Sequence, residues 1–427
     1  MSTLIQKVIA RRIWDSRGRP TVEVDVVLAN GCRGRGMAPA GASRGSREAA
    51  DLRDGGSRFG GFDVTQALAN VTGPIAKRIV GMDAMDQLGL DDALIALDGT
   101  PSKSRLGGNA TIATSLAVLH AAAASAGLPL WRYLAGEQLV RMPLPEIQIF
   151  GGGAHAGRRV DIQDFLIMPI GASSFDEAMA MTAEVYRSAG DIMDKAGRRA
   201  GVADEGGWWP DFKSNEEALE TLTRAIDAAG YRHDQVAIAL DIAASEFGRD
   251  GRYTLGLEQR TYDTGEWLDV LQAWVDRYPI LSVEDPVAED DEAGMRAFTA
   301  AVGHRIQVIG DDFLVTNAAL VREAISQQSC NAVLLKPNQA GTVSETRAAM
   351  EVARDAGWGV VVSARSGETE DVTIVHLAIG WNTGQLKVGS FARSERMAKW
   401  NEALRIEAEI GPAAVYAGRA ALPTSKP

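Results

Sequence analysis

The chain has 427 residues, of which 46% are hydrophobic and 23% charged, which is typical of a globular protein long enough for two domains. Its net charge of -12 argues against nucleic acid or an anionic membrane surface as the main partner, but leaves small anionic substrates open. The N-terminus has no apolar signal core, no stretch approaches a membrane span, and Cys32 and Cys330 have no metal-binding spacing. We therefore expect a cytoplasmic protein.

The N-terminal part predicts an α+β domain. Apolar residues alternate between Val22 and Leu28, which indicates a strand with one mostly buried face, and Asn30-Gly31 is a hairpin signal. From 64 to 134 the pattern is helical and rich in alanine. We expect these helices to form a layer that packs against the N-terminal sheet.

The segment between this strand and these helices, residues 39–48, is rich in small residues. Such a segment is compatible with an ordinary surface loop. It is equally compatible with a lid, because loops of small residues can close over a site. The sequence leaves both interpretations open.

A boundary is predicted at Pro143-Leu-Pro145, so that a capping domain occupies residues 1–140 and a second domain residues 141–427. Beyond the boundary, short apolar strands alternate with amphipathic helices. Two of these helices are predicted to begin at Ser174 and Ser214, each followed three residues later by a glutamate in capping-box spacing.

Six strands in this second part end in a polar or charged residue. They are the apolar runs at 236–241, 280–284, 306–311, 332–336 and 359–363, and the short segment Gln385-Leu-Lys387. Continuous apolar runs suit strands that are buried on both faces of a parallel sheet. Strand-helix repeats of this kind predict an α/β fold with a (β/α)8-type barrel, whose active site lies at the C-terminal ends of the strands.

Three successive strands end in the acids Asp241, Glu284 and Asp311. Each acid could instead cap the helix that follows its strand. Three such acids in succession favour convergence on one cation, because a buried carboxylate without a partner costs several kcal/mol. The ligands are all oxygens, which fits Mg2+ best and Mn2+ as a substitute.

Two later strands end in Lys336 and Lys387, and the pair Arg365-Ser366 follows another strand. A lysine beside a metal and a second cation is expected to have a lowered pKa and to act as a general base. A guanidinium next to a hydroxyl suits a phosphate group. Together these residues predict proton abstraction next to a carboxylate, on a substrate that carries phosphate.

The chain resembles the enolase (phosphopyruvate hydratase) family from about residue 5 to residue 418. The motifs that carry the resemblance are Trp14-Asp-Ser-Arg-Gly18, Leu97-Asp-Gly-Thr-Pro101, Gly152-Gly-Ala-His155, Asp204-Glu-Gly-Gly207, Ser282-Val-Glu-Asp-Pro286, Ser366-Gly-Glu-Thr-Glu-Asp371 and Ala392-Arg-Ser-Glu-Arg396. The resemblance implies an enolase-type fold, a divalent metal, a 2-phosphoglycerate-type substrate, and a dimer or larger homo-oligomer.

The resemblance also implies roles for individual residues. Asp241, Glu284 and Asp311 would hold a first Mg2+, and Ser43 a second from the lid. Lys336 would remove the α-proton, Glu205 would act at the departing hydroxyl, and His155 would lie on a closing loop. The substrate carboxylate would bind Lys387, its phosphate would bind Arg365 and Ser366, and Gln163 would belong to the same pocket.

The chain departs from the family at the site rather than in the scaffold. Ala364 stands where enolases have histidine, and Asp164, which we count among the catalytic residues, stands where they have glutamate. The loops over the pocket add Arg44, Arg158 and Arg159, which we expect to contribute to substrate binding unless they point to solvent. The pair Trp208-Trp209 replaces Phe-Ala.

These departures resemble the enolase-like carboxyphosphonoenolpyruvate synthase of phosphonate antibiotic biosynthesis (phosphinothricin-type). The arginines would then hold a nucleotide-activated phosphonate, and Trp208 or Trp209 would stack on its base. The alternative is an ordinary phosphopyruvate hydratase with an unusual pocket. A third class, a binding protein on the same scaffold, is disfavoured because folding does not require the acids and lysines at these strand ends.

Overall fold

The structure is a computed structural model that describes residues 2–423. It begins with an antiparallel sheet of three strands, β1 (Ile5–Trp14), β2 (Pro20–Leu28) and β3 (Arg33–Met37). The helices that follow are α1 (Thr65–Asn70), α2 (Ala76–Ile79), α3 (Gln87–Asp98), α4 (Gly108–Ala126) and α5 (Leu130–Ala135). A π-helical turn at Val71–Ile75 joins α1 to α2.

The N-terminal sheet packs on α4 through the apolar face of β2 and the glycines of β3. Val24 and Val26 are fully buried on that face. A Cβ added at Gly34 would overlap the backbone of Ala117 and Ala121, so only glycine allows this close approach. The predicted α+β arrangement of strand and helical layer is therefore present.

The opposite face of β2 is also buried, unlike the half-exposed strand that the alternation predicts. Glu23 and Asp25 are buried beneath Arg11 and Arg35 of the neighbouring strands, and Arg35 Nε donates to Asp25 Oδ1 at 2.9 Å. Burial would raise the pKa of Asp25, but the hydrogen bonds from the two guanidiniums outweigh it and lower the pKa. Arginine side chains thus cover a face that the sequence pattern assigns to solvent.

The second part of the chain begins with β4, after α5, and contains the remaining strands and helices. The strands are β4 (Leu144–Gly151), β5 (Asp164–Met168), β6 (Ala237–Asp241), β7 (Gly248–Arg249), β8 (Arg252–Leu255), β9 (Arg260–Asp263), β10 (Ile280–Glu284), β11 (Gln307–Gly310), β12 (Ala332–Leu335), β13 (Gly359–Ser363) and β14 (Gly384–Ser390). The helices are α6 (Phe175–Lys195), α7 (Asn215–Ala228), α8 (Thr264–Arg277), α9 (Glu292–Val302), α10 (Ala318–Gln327), α11 (Pro337–Ala340), α12 (Val343–Asp355), α13 (Thr373–Gly380) and α14 (Ser394–Ile410).

Strands β4–β6 and β10–β14 close into an eight-stranded barrel, while β7–β9 form a separate antiparallel ribbon. All neighbours in the barrel are parallel except β5, which runs antiparallel to both β4 and β6. The six strands predicted from the sequence are β6 and β10–β14. Strand β4 lacks such a run because Pro145, Glu146 and Gln148 interrupt it, although every residue of the strand is buried.

Helices α6 and α7 begin as predicted, with one difference in the cap. The side chains of Ser174 and Ser214 accept the backbone N–H of Glu177 and Glu217, each at 3.0 Å. The glutamate side chains, however, accept from the residue before each cap: Glu177 Oε2 lies 2.6 Å from the backbone nitrogen of Ser173. The capping is therefore real but not the reciprocal box that the spacing predicts.

Short 3-10 turns connect several elements and occur at Arg58–Gly61, Gly153–Ala156, Ala244–Glu246, Gly411–Ala413 and Gly418–Ala421. The turn at Gly153–Ala156 is the one that matters for the site, because it positions His155. Within residues 2–423, none of the helices combines the length and the hydropathy that a membrane crossing requires.

Candidate active site

A cavity of about 310 Å³ lies at the C-terminal ends of the barrel strands. Its lining includes Ser43, His155, Gln163, Asp164, Glu205, Asp241, Lys336, Ala364, Arg365, Ser366 and Lys387. The remaining two predicted acids, Glu284 and Asp311, contact the two lysines of this cavity. The structure therefore brings these residues, predicted from separate strands and loops, into one site.

Lys387 connects two of the three strand-end acids. Its Nζ lies 2.6 Å from Glu284 Oε2 and 2.9 Å from Asp241 Oδ2, and all three side chains are buried. Burial would lower the pKa of Lys387, but the carboxylates of Asp241 and Glu284 outweigh it and raise the pKa well above its ordinary value. This lysine is therefore a fixed positive charge of the site.

Lys336 donates from its Nζ to Asp311 Oδ2, in contact across the ends of β12 and β11. The sequence analysis expects a lowered pKa at this position, but the protein groups alone raise it. Burial would lower the pKa of Lys336, and the Asp311 carboxylate outweighs that effect. A group that draws Asp311 away from this ammonium would lower the pKa toward the range of a general base.

The acids retain oxygen atoms that suit a divalent cation. Oε1 of Glu284 and Oε1 of Gln163 are buried and have no hydrogen-bond partner among the described residues. Burial, together with the neighbouring charge of Asp241, raises the pKa of Glu284 well above its ordinary value. Unpaired buried oxygens and a surplus of carboxylates fit a hard cation such as Mg2+.

Two further groups of side chains could each hold a metal ion, because the ligand atoms within each group lie within 4.8 Å of one another. The first group is His155, Asp164 and Glu205, and the second is Asp285, Asp311 and Asp312. In the second group, both oxygens of Asp285 accept backbone N–H groups, from Asp311 at 2.9 Å and from Asp312 at 2.7 Å. Asp285 thus fixes the turn that carries Asp311, and its oxygens are already in use.

His155 is fully enclosed, rather than solvated as a lone histidine in a glycine-rich loop usually is. Its Nδ1 lies 3.1 Å from Asp164 Oδ1, its Nε2 2.9 Å from Ser366 Oγ and 3.7 Å from Glu205 Oε1. Burial would lower the pKa of His155, but the Glu205 and Asp164 carboxylates outweigh it and raise the pKa to about 9. The histidine is therefore a cation at neutral pH.

Asp164 is held by His155 and by Gln148, a residue that the sequence analysis does not single out. Gln148 Nε2 donates to Asp164 Oδ1, and Gln148 Oε1 accepts the backbone N–H of Gly207 at 2.8 Å. Burial would raise the pKa of Asp164, but the positive charge and hydrogen bond of His155 outweigh it and lower the pKa to about 2. Gln148 thereby joins Asp164 to the loop that carries Glu205.

The segment of residues 39–48 lies over the cavity, at the place that the lid interpretation requires. The backbones of Ala40 and Gly367 exchange two hydrogen bonds of 2.9 Å, and Ala42 N–H donates to Ser366 Oγ at 3.2 Å. Glu48 forms a two-pronged ion pair with Arg365, at 2.9 and 3.1 Å. This segment therefore contacts both residues of the predicted phosphate pair.

Glu48 and Gln339 are members of the site that the sequence analysis does not identify. Gln339 Nε2 donates to Asp311 Oδ1 at 2.9 Å and lies 3.3 Å from Glu48 Oε1. A signal for Gln339 exists, because it comes three residues after Lys336, beyond the C-terminal end of a barrel strand. No comparable signal marks Glu48, which stands among ordinary polar residues.

The three added arginines do not line this cavity. Arg158 and Arg159 pair with Glu246 and Asp211 at the surface, and their side chains are 67% and 43% exposed. Arg44 lies 3.6 Å from Asp51 and is 47% exposed. Surface ion pairs of this kind typically contribute less than about 1 kcal/mol to the free energy of unfolding.

Trp208 also lies away from the position expected for a stacking platform. Its ring stacks on Tyr186 with centroids 4.7 Å apart, and its Nε1 donates to the Tyr186 carbonyl at 2.9 Å. A Cβ at Gly190 would overlap the same ring, so Trp208 is packed into the scaffold. Trp209 is half-buried, and its backbone N–H donates to Gly201 O at 3.0 Å.

Two family models match the chain, and together they account for both parts of the fold. The model described as "Enolase, N-terminal domain" matches residues 5–134, and "Enolase, C-terminal TIM barrel domain" matches residues 139–424. These matches agree with the N-terminal α+β sheet, with the closed barrel, and with a cavity lined by acids and lysines at the C-terminal ends of the strands. The chain belongs to the enolase family and is an enzyme of the enolase superfamily.

Proposed function

We propose that the enzyme removes the α-proton of a 2-phosphoglycerate-type substrate, with Lys336 as the base, to give an enolpyruvyl product. We further propose that it is a specialised paralogue with the activity of a carboxyphosphonoenolpyruvate synthase. One cavity that unites Lys336, Lys387, Ser366 and the acids, but has Ala364 in its wall, is the observation that supports this proposal.

The substrate would be held by charges that the site already contains. Lys387, a buried cation, suits the substrate carboxylate. Arg365 and Ser366 suit the phosphate, and Arg365 would exchange its ion pair with Glu48 for that ligand. Binding at these two ends would present the α-carbon to Lys336, since general-base catalysis requires the base within hydrogen-bond reach of the proton.

Asp241, Glu284 and Asp311 would hold one Mg2+, and Ser43 a second. Bound there, divalent cations supply stabilisation of the negative charge that develops on the substrate carboxylate. Asp311 would then attract the Lys336 ammonium less strongly, which favours the neutral amine that a base needs.

The other end of the cavity would handle the leaving group. Glu205 Oε1 lies 3.7 Å from His155 Nε2, an ion-pair distance, and both side chains line the cavity, where they would act on a departing hydroxyl. Ala364 provides only a methyl group in this wall, where enolases have a histidine. A wall without that titratable group is the feature that favours the specialised activity over simple dehydration.

Phosphorus NMR tests this proposal. With Mg2+ and 2-phosphoglycerate alone, the protein should form phosphoenolpyruvate poorly. Addition of a nucleotide-activated phosphonoformate should give a new enolpyruvyl product that contains phosphorus. Efficient dehydration by the unmodified protein, with no response to the phosphonate donor, would contradict the specialised activity and leave the ordinary one.

The ordinary activity, reversible dehydration of 2-phosphoglycerate to phosphoenolpyruvate, is the second candidate. It is favoured by the positions of Arg44, Arg158 and Arg159, which pair with surface carboxylates rather than facing the cavity. The stacking of Trp208 on Tyr186 points the same way. The two candidates share proton abstraction at Lys336 and differ in what happens afterwards.

A further inference from the structure

A second and larger cavity, of about 720 Å³, lies between the N-terminal part of the chain and the barrel. Its walls come from Arg47 and Ala49 around the end of the 39–48 segment, from the loop between α3 and α4, and from the start of α10 with parts of α11 and α12. We call it the side cavity. The residues of the catalytic cavity do not line it, so it is a separate space.

The side cavity is basic although the protein as a whole is acidic. Arg47, Lys103 and Arg322 line it, and Glu345 is the one carboxylate among the lining residues that the structure describes. Lys103 Nζ lies 2.8 Å from Glu345 Oε1, so this pair is neutral overall. The two guanidiniums then leave a surplus of positive charge, in a chain whose net charge is -12.

The two guanidiniums retain donors for a ligand. One nitrogen of Arg47 donates to the Phe313 carbonyl at 2.8 Å, and its remaining N–H groups stay available. Within residues 2–423, no carboxylate pairs with Arg322. Helix α10 also begins at this cavity, but its N-cap Asn317 already accepts the N–H groups of Ala319 and Leu320, so the arginines are the donors left for a ligand.

The lysine of the side cavity is built into its wall. Lys103 is 3% exposed and has a left-handed backbone, with φ +53°. Its aliphatic chain lies on Gly341, where an added Cβ would overlap Lys103 Cδ. Gly341 itself has φ +94°. The ion pair with Glu345 compensates the burial of this ammonium, so Lys103 forms a fixed part of the wall.

The side cavity is connected to the catalytic cavity through Gln339, which lines the side cavity. Its Oε1 accepts from Thr316 Oγ1 at 2.7 Å, and its Nε2 donates to Asp311 Oδ1 at 2.9 Å. The same nitrogen lies 3.3 Å from Glu48, the partner of Arg365. A ligand in the side cavity would therefore touch Gln339, which contacts both Asp311, a proposed metal ligand, and Glu48 of the 39–48 segment.

We propose that the side cavity binds a small anion bearing a phosphate or phosphonate group. Guanidinium groups match the oxygens of such anions in paired hydrogen bonds, and two guanidiniums match a charge near -2. The lining contains no aromatic ring, so recognition is of the anion and not of a nucleobase. The site is independent of which reaction the catalytic cavity performs.

Equilibrium dialysis with labelled inorganic phosphate tests this site. The metal-free wild-type protein should bind two phosphates per chain, one in each cavity. Arg322→Ala should remove the side-cavity phosphate, with affinity at least tenfold lower, and keep the other; Ser366→Ala should weaken only the catalytic one. Arg305→Ala, which removes an exposed arginine paired with Asp276, is the control and should keep both.

A phosphate stoichiometry and affinity in Arg322→Ala equal to those of the wild type would overturn the proposal, whether or not the catalytic cavity also binds phosphate. Because Lys103→Met risks unfolding, location is checked instead by the anomalous signal of selenate in crystals of the wild type, expected beside Arg47 and Arg322. Selenate found only in the catalytic cavity would also overturn it. Competition by pyrophosphate and by a nucleoside monophosphate distinguishes a free inorganic ligand from a phosphate on a larger molecule.

Discussion

Lys387 Nζ lies 2.6 Å from Glu284 Oε2, so a buried ammonium is bound to one of the acids proposed to hold a metal. The other oxygen of Glu284 has no hydrogen-bond partner among the described residues. Removing one member of a buried ion pair typically costs about 3–5 kcal/mol, because the partner charge stays behind. The proposed metal site and the lysine proposed to bind the substrate would therefore be coupled through this carboxylate.

This coupling predicts the effect of Glu284→Gln. The variant should lose the rise in melting temperature that Mg2+ causes in the wild type, together with catalysis, because a ligand that binds only the native state stabilises it by mass action. Differential scanning fluorimetry over a range of Mg2+ concentrations is the measurement. Glu292→Gln, an exposed glutamate on α9, is the control. An unchanged Mg2+ response in Glu284→Gln would remove this residue from the ligand set.

Histidine at position 364 should move the reaction toward simple dehydration. Ala364→His returns a titratable group to the cavity wall, and we expect the rate of phosphoenolpyruvate formation from 2-phosphoglycerate to rise at least tenfold. Ala364→Asn, which adds bulk without a group that titrates near neutral pH, should not reproduce the gain. The assay is absorbance of the enolpyruvyl product. Equal rates in the wild type and Ala364→His would show that this wall does not govern the outcome.

Changing Arg158 and Arg159 to alanine should have little effect on stability but should weaken the use of a second substrate, if these arginines bind it. Their exposed ion pairs predict that the double change to alanine alters the free energy of unfolding by less than about 1 kcal/mol per pair. If they hold a phosphonate donor, each lost charged hydrogen bond should weaken donor use by about 1.5–3 kcal/mol, or tenfold and more in KM. KM for 2-phosphoglycerate should stay constant.

Arg232→Ala is the matched control for that experiment, since this exposed arginine pairs with its own neighbour Asp234. An unchanged donor KM in the double variant would leave Arg158 and Arg159 as surface residues. In the structure Arg158 pairs with Glu246 and Arg159 with Asp211, so both side chains would have to leave these carboxylates to bind a phosphonate donor.

The pair of His155 and Asp164 predicts a pH-dependent stability. The pKa of His155 is about 9 in the folded protein against 6.5 unperturbed, so its contribution is complete below pH 6.5 and is lost as the pH rises through 9. The shift corresponds to about 3 kcal/mol. Asp164, with a pKa of about 2, contributes above its unfolded pKa and loses that contribution as the pH falls through 2.

Urea unfolding of the wild type and of His155→Asn, in metal-free buffer between pH 6 and pH 10, measures the histidine contribution. The difference in unfolding free energy between the two proteins should shrink by up to about 3 kcal/mol as the pH rises. A difference that is constant with pH would mean that the pKa of His155 is the same in the folded and the unfolded protein, which would contradict the raised pKa.

The barrel could be predicted from sequence because its parallel strands are buried on both faces. Such strands read as apolar runs, which β6 and β10–β13 have, whereas in β14 the signal was the lysine at a strand end. Strand β4 contains proline, glutamate and glutamine, since its side chains join a polar network inside the barrel: Gln307 Nε2 lies 3.3 Å from Glu146 Oε1. A strand that buries polar groups in hydrogen bonds has no apolar signature.

Sequence analysis predicted the positions of site residues at strand ends better than the positions of those on loops. Residues at strand ends, such as Asp241, Lys336 and Lys387, were brought together by the geometry of the barrel, which fixes where strand ends lie. The loop arginines were not, because the direction of a side chain on a loop depends on its neighbours. Arg158 and Arg159 pair at the surface with Glu246 and Asp211, which are far from them in sequence, so no sequence spacing indicates these contacts.

The most direct test of the proposed function is exchange of the α-proton of 2-phosphoglycerate with deuterated water, followed by proton NMR in the presence of Mg2+. The wild type should exchange this proton whether or not a later step proceeds. Lys336→Ala should abolish exchange, while the exposed Lys195→Ala serves as the control and should keep the wild-type rate. Exchange at the wild-type rate in Lys336→Ala, from a protein shown by its melting curve to be folded, would contradict the assignment of Lys336 as the base.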